Sequence, residues 1–367
     1  MRARRPTSRT RAVVPLIFAV VAVLTASVLP HAPLAEAALE DPVHPPAPPP
    51  LDYPGVPVIV DSEGAGHLVG SSAVTPAGQY TYRIPIDVPP GRAGIQPGLA
   101  LVYSSGGGNS TLGVGWSLEG LSSIRRCPQT RATEGLPDGV DFDATDSYCL
   151  DSQKLRRVDG GQGPVLEGAE FRPEQDSFTK VVAHGDSAAG PDSFTAYTKA
   201  GLIFEYAKRV EPHRFQGSFG GGTPADLGPV RAVWLVTEMR DRSGNKMSYD
   251  HHVLVDPVTG GVEHRLHEIT YTETYDGKPG RRSVQLVYDD DRPDTTFRYE
   301  SGVRWEQKSL LKKILLRGPD PVDTETLGEY RVSYEPSPDT GRSLLTSVER
   351  CDSQDVCLRA KQFQWWK

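Results

Sequence analysis

An antiparallel all-β fold, rich in hairpins and poor in helix, is predicted by three features of the 367-residue sequence. Short apolar alternations recur along the chain, each bounded by Gly, Pro, Asn or Asp, as in IPIDV, LALVY, LIFEY and VWLV. With 37 Gly and 32 Pro the composition is turn-rich, which favours many short strands over long helices. Finally, only residues 308–317 admit a helical reading, and their Ile-Leu-Leu run suits a buried strand equally well.

Taken in order, residues 1–37 read as an export signal. Arg2, Arg4, Arg5, Arg9 and Arg11 precede an apolar run from Ala12 to Leu29, and Ala35-Glu36-Ala37 supplies a small-x-small cleavage site. An uncleaved anchor is the alternative, because the run approaches spanning length. Residues 38–72 form a proline-rich spacer, EDPVHPPAPPPLDYPGVP at its centre, whose prolines keep it extended. Residues 73–367 are then the β domain. Residues 58–68 are ambiguous between a loose strand and more spacer.

The stretch from Tyr82 to Arg126 organises that domain. Two alternations are separated by Pro89, Pro90 and Gly91, then followed by a glycine run ending at Gly108, by Asn109, and by Gly113, Gly115 and Trp116. Strand, turn, strand, glycine hinge, strand is the reading, with Asn109 expected in a left-handed conformation and Trp116 in the first layer of core. Hairpins are expected over 195–206, bending at Lys199-Ala200-Gly201, and over 233–251, bending at Ser243-Gly244-Asn245. Further strands are expected at 266–274, 283–288, 303–305, 310–317, 330–334 and 344–349. The glycine patch 217–222 reads as a loop. The closing segment Gln362-Phe363-Gln364-Trp365-Trp366 is strand-like and expected to leave an apolar edge exposed.

Export implies an oxidising compartment, so the four cysteines point to disulfides. Three pairings are possible. Cys127 with Cys149 and Cys351 with Cys357 is preferred because each pair brackets a short turn-rich segment; four free thiols is the alternative. A formal charge of −7 without a Lys/Arg stripe argues against nucleic acid as a partner, and contact with membrane is expected only in transit.

No constellation reads as an active site, and no cofactor or metal is expected. Asp141-Phe142-Asp143-Ala144-Thr145 fits an aspartyl phosphoryl-transfer pattern but sits in a loop, where a solvated acidic turn or weak Ca²⁺ binding by Asp138, Asp141, Asp143 and Asp146 is the simpler use. The glycine run at 106–108 lacks the Lys-Ser/Thr ending of a phosphate loop. His264 and His267, three apart, would face opposite sides of a strand, and with His251-His252 they read as surface histidines. No Gly-x-Ser-x-Gly elbow occurs.

Several blocks together resemble the N-terminal domain of the SpvB/TcaC family, which opens Salmonella virulence plasmid B proteins and the B components of insecticidal toxin complexes. They are IPIDVPPG at 84–91, GGN at 107–109, LGVGWSL at 112–118, IRRC at 124–127, YCLD at 148–151, TKAGLIFEY at 198–206, DRSGNK at 241–246 and FQW at 363–365. The resemblance implies a non-enzymatic segment of a strand-rich, Rhs-related shell that continues into a propeller and encloses a toxic segment. Partners would be other toxin-complex or Rhs subunits, or a C-terminal region beyond Lys367. In the virulence plasmid protein, ADP-ribosylation of actin belongs to a separate C-terminal domain. The export signal departs from toxin-complex B components and implies a secreted, extracellular protein. A competing expectation is a secreted binding module for glycan or protein, using the aromatic loops around Trp116 and Trp234.

Overall fold

A computed structural model of the chain describes residues 66–365, apart from 144, 160–165, 186, 188, 217–224, 275 and 320–324. The export signal, most of the spacer and the glycine patch at 217–222 lie outside the described residues. Described structure starts inside the expected spacer: His67 bridges to Arg359, Leu68 is buried, and the first strand, β1, spans Ser71–Val74. The 72/73 boundary therefore falls within a strand, because Ser71 and Ser72 pair through backbone groups that need no apolar side chain.

The opening region supplies β2 (Tyr80–Pro85), β3 (Ala100–Ser104), a two-residue hairpin of β4 (Asn109–Ser110) and β5 (Gly113–Val114), and β6 (Trp116–Glu119). β1, β2, β3 and β6 form a four-stranded antiparallel sheet. A second sheet begins with β7 (Ser123–Cys127), passes the one-turn helix α1 (Arg131–Glu134), and continues through β8 (Ser147–Leu150), β9 (Gln153–Arg157), β10 (Glu170–Pro173), β11 (Lys180–His184), β12 (Ser193–Tyr197) and β13 (Ile203–Val210). It goes on through β14 (His213–Gln216), β15 (Ala225–Pro229), β16 (Val233–Arg240), β17 (Asn245–Val255), β18 (Val262–Thr274) and β19 (Arg282–Asp289). It ends in β20 (Thr296–Glu300), β21 (Val303–Gln307), β22 (Leu310–Gly318), β23 (Glu325–Pro336), β24 (Ser343–Asp352) and β25 (Lys361–Gln362).

Most neighbours are consecutive hairpins, which keeps connections short. β7 returns to pair with β16 and β14 with β21, and these non-local pairings close the sheet into a barrel-like shell. Both expected hairpins form, with Tyr197 opposite Ile203 and Arg240 opposite Lys246. The ambiguous 308–317 segment is strand β22, where Ile314 and Leu316 are buried between half-exposed Lys313, Leu315 and Arg317.

The first sheet packs on the C-terminal half of the second. Ile84, Leu101, Leu112 and Trp116 share one core with Ile269, Leu286, Ile314, Tyr330 and Leu345. A second core is aromatic, with Tyr148, Phe171, Phe194 and Trp234 in edge-to-face contact. The closing segment differs from its expectation. Phe363 and Trp365 are half-buried, Phe363 lies 4.8 Å from Trp116 between ring centroids, and Trp365 Nε1 donates to Leu345 O at 2.8 Å. The first sheet, distant in sequence, supplies the apolar cover.

Candidate functional site

The opening stretch acts as a wedge between the two sheets. Gly113 and Gly115 both have φ near +80°, at 79° and 78°, where a β-carbon is strained. Space is also missing: a Cβ at Gly113 would lie 2.3 Å from Ser343 O, and one at Gly115 2.4 Å from the Tyr103 ring. The turn these glycines make drives Trp116 inward to 2% exposure, as expected of a core residue. Its indole N–H has no hydrogen-bond partner among the described residues.

Asn109 does not adopt the expected left-handed conformation, since it lies in strand β4 and the positive φ values fall on Gly113 and Gly115 instead. It serves as an amide cross-link. Its Nδ2 donates to Asp294 Oδ2 at 3.1 Å, and its Oδ1 accepts from Arg292 Nη2 at 2.6 Å. Arg292 is fully buried and also donates to Asp294 Oδ1 at 2.8 Å and to Ser110 O at 2.5 Å. Asp294 further accepts from the Ser343 N–H at 2.8 Å. Burial pushes the Asp294 carboxyl up, but the bonds from Arg292, Ser343 and Asn109 outweigh it and hold the group well below the usual carboxylate range. Every arm of the guanidinium and carboxylate is used, so the network fastens the hairpin to the second sheet. Nothing local in the sequence marks Arg292 or Asp294, which act from more than 180 residues away.

Pro89, Pro90 and Gly91 form the other fastening. Pro89 O accepts from the Tyr271 hydroxyl at 2.8 Å, Pro90 O accepts from Arg282, and Gly91 N–H donates to Gln96 Oε1 at 2.9 Å. Gly108 O takes the Gly115 N–H at 2.9 Å. The motif residues therefore set backbone geometry.

Two clefts flank the wedge. One, of about 550 Å³, is lined by Tyr80, Tyr82, Tyr103, Trp116 and the β25 segment through Trp365. The other, of about 330 Å³, is polar and includes His251, Glu263, His264, Arg265, Trp305 and Glu306. His251 and His264 are thus wall residues of a recess and not the surface histidines expected. Burial first, then the His251, Arg125 and Arg298 charges, pull the His264 imidazole down to about 4. Glu263 is occupied, accepting from Ser309 Oγ at 2.8 Å, and Glu306 accepts from Arg304 at 2.8 Å and Lys308 at 2.7 Å. The carboxylates are engaged as structural partners.

The cysteines pair as preferred, Cys127 with Cys149 and Cys351 with Cys357. In the acidic loop, Asp141, Asp143 and Asp146 converge within 4.8 Å. Asp146 is committed to Arg126 at 2.8 Å, both side chains being almost fully buried, and Arg126 also reaches the carbonyls of Asp143, Ala189 and Arg231. A dication there would meet a fixed guanidinium, so the loop is built as an anchor for Arg126. Trp234 is fully buried with its Nε1 on Pro191 O at 3.1 Å, so neither Trp116 nor Trp234 presents an aromatic loop to a ligand.

Residues 74–165 match the family model described as Salmonella virulence plasmid 65kDa B protein. Among curated proteins, the chain is 41% identical over 68 residues to "Mono(ADP-ribosyl)transferase SpvB" of Salmonella typhimurium, covering 18% of this chain and 10% of that protein. Among solved structures, the N-terminal domain of effector protein SpvB from Salmonella typhimurium strain LT2 superposes with a TM-score of 0.54 at 17% identity, over 77% of this chain and 99% of that one. The TcdB2-TccC3 crystal structure gives a TM-score of 0.62 at 17% identity, over 80% of this chain and 16% of that one. The chain thus spans a small part of both the curated relative and the toxin-complex structure.

Proposed function

We propose that this chain, which matches the Salmonella virulence plasmid 65kDa B protein family model over residues 74–165 and shares the fold of the SpvB N-terminal domain, is a non-enzymatic structural module, an encapsulating wall segment of a secreted toxin or virulence protein. The observation that carries the reading is the closed antiparallel sheet from β7 to β25, wedged by the first sheet and fastened by buried polar bonds, a fold shared with one part of TcdB2-TccC3. Such a sheet spends its buried charges on fixing strands, which suits a wall and leaves the polar recess without an unengaged carboxylate pair. The transferase activity in the curated relative's name is no part of this reading, because the chain aligns with 10% of that protein. Partners are other toxin-complex or Rhs-type subunits, and the export signal directs the protein outside the cell.

Co-expression with TccC3, the protein that accompanies TcdB2 in the similar structure, tests the reading. Co-elution on size exclusion and protease protection of TccC3 are the expected results; a folded chain that stays monomeric beside a fully digested partner would count against it. A second reading, a binding module for glycan, draws on the aromatic cleft, where Tyr80 is 45% exposed and Tyr82, Tyr103 and Trp365 are half-buried. Glycan-array binding abolished by Tyr80→Ala or Tyr82→Ala, with the fold intact, would favour it.

A further inference from the structure

The long hairpin of β17 and β18 carries a pair of histidines with a carboxylate beside them, none of which lines the polar recess. His252 and His267 stack with ring centroids 4.1 Å apart and planes 16° from parallel. Asp250 Oδ2 lies 4.0 Å from His252 Nε2. One ligand atom from each of the three residues falls within 4.8 Å of the other two. Among the described residues neither imidazole makes a protein hydrogen bond, so their nitrogens are not consumed by the fold.

A break in the strand register creates this arrangement. Asp250 pairs with Glu268, but the next residue, His251, pairs with Leu266, so His267 is the extra residue of a bulge. Bulges re-aim side chains, and this one brings His267 alongside Asp250 and His252 while His251 and His264 turn into the recess.

We propose that Asp250, His252 and His267 form a binding site for a divalent transition-metal ion of the zinc class. Two imidazole nitrogens and one carboxylate oxygen are a donor set that such ions take, with metal–ligand bonds of about 2.0–2.2 Å. Donors around a tetrahedral ion sit roughly 3.3 Å apart by that geometry. The present spacing is wider than this, and the side chains that must turn to close it are 42% exposed at His252 and 62% exposed at Asp250. Two cations, Arg265 and Lys208, bear on His252; Arg265 is paired with Asp290 and lies 4.5 Å over the Tyr288 ring. Three protein ligands leave one position open for water or for a donor from a partner.

Calorimetric titration of the full chain with ZnCl2 tests the site. The expected result is one Zn²⁺ per chain, with affinity reduced about tenfold or more in His252→Ala and in His267→Ala. His213→Ala, which removes a histidine paired with Asp226 elsewhere, should leave it unchanged. Circular dichroism of the metal-free variants separates loss of ligand from loss of fold. With Co²⁺ as a spectroscopic probe, the visible bands of the wild type should change shape in Asp250→Asn. Absence of stoichiometric Zn²⁺ binding, or binding retained in both histidine variants, overturns the proposal.

Discussion

Replacing Arg292 by Met isolates the network that fastens the opening hairpin. The guanidinium contributes bonds to Asp294, Asn109, Ser110 O and Ser309 O, and both it and Asp294 are almost wholly removed from water. After the change Asp294 keeps its bonds from Ser343 and Asn109 but loses its counter-charge. Removing one partner of a buried ion pair costs about 3–5 kcal/mol, because the other charge stays buried and unpaired. The double variant Arg292→Met/Asp294→Leu should recover much of that loss, since two well-packed apolar groups replace the pair. Urea unfolding followed by tryptophan fluorescence measures both, with an unchanged m-value showing that the denatured state is the same. A single-variant loss below about 1 kcal/mol, the range of exposed ion pairs, would refute the fastening role.

Three further expectations concern the same fold. Trp116→Ala should destabilise by about 3–5 kcal/mol, the range for a buried aromatic, and Gly115→Val should sharply lower soluble yield, since its Cβ would meet the Tyr103 ring; a silent Gly115→Val in thermal unfolding would remove the wedge from the argument. Reduction of Cys127–Cys149, which closes a 22-residue separation, should cost about 3 kcal/mol and cost more than loss of Cys351–Cys357, because the larger loop gives more entropy to the unfolded chain; equal midpoint shifts in the two Cys→Ser pairs would contradict this. The third is a pH effect. His264 protonates near 6.5 when unfolded but only at about 4 when folded, so the unfolded state binds more protons between these values and stability falls as pH drops through that window. The step is about 3 kcal/mol at most, and in chemical-denaturation series across pH 4–7 His264→Gln should flatten it.

The alternation and turn chemistry made much of the fold legible. Tyr197 opposite Ile203 and Arg240 opposite Lys246 follow from runs and bends visible in 195–206 and 233–251. The pairing of β7 with β16 was not legible, because no local signal links Ile124 to Trp234. Asn109 shows why site chemistry was harder. Its amide suits a left-handed turn when only neighbours are considered, yet two partners distant in sequence claim both of its polar atoms. The histidines show the limit of strict alternation: opposite faces for His264 and His267 follow from the period of two, but the bulge that sets His267 against His252 is invisible to it. Phe363 and Trp365 read as an exposed edge only because their cover, Tyr82, Tyr103 and Trp116, lies some 250 residues earlier.

The wall-segment reading is tested most directly by an electron cryomicroscopy map of the complex formed with TccC3. Density for residues 66–365 should lie in the shell, with the β7–β25 sheet bordering the enclosed lumen. A map in which this chain sits outside a shell already closed by other subunits would contradict the reading.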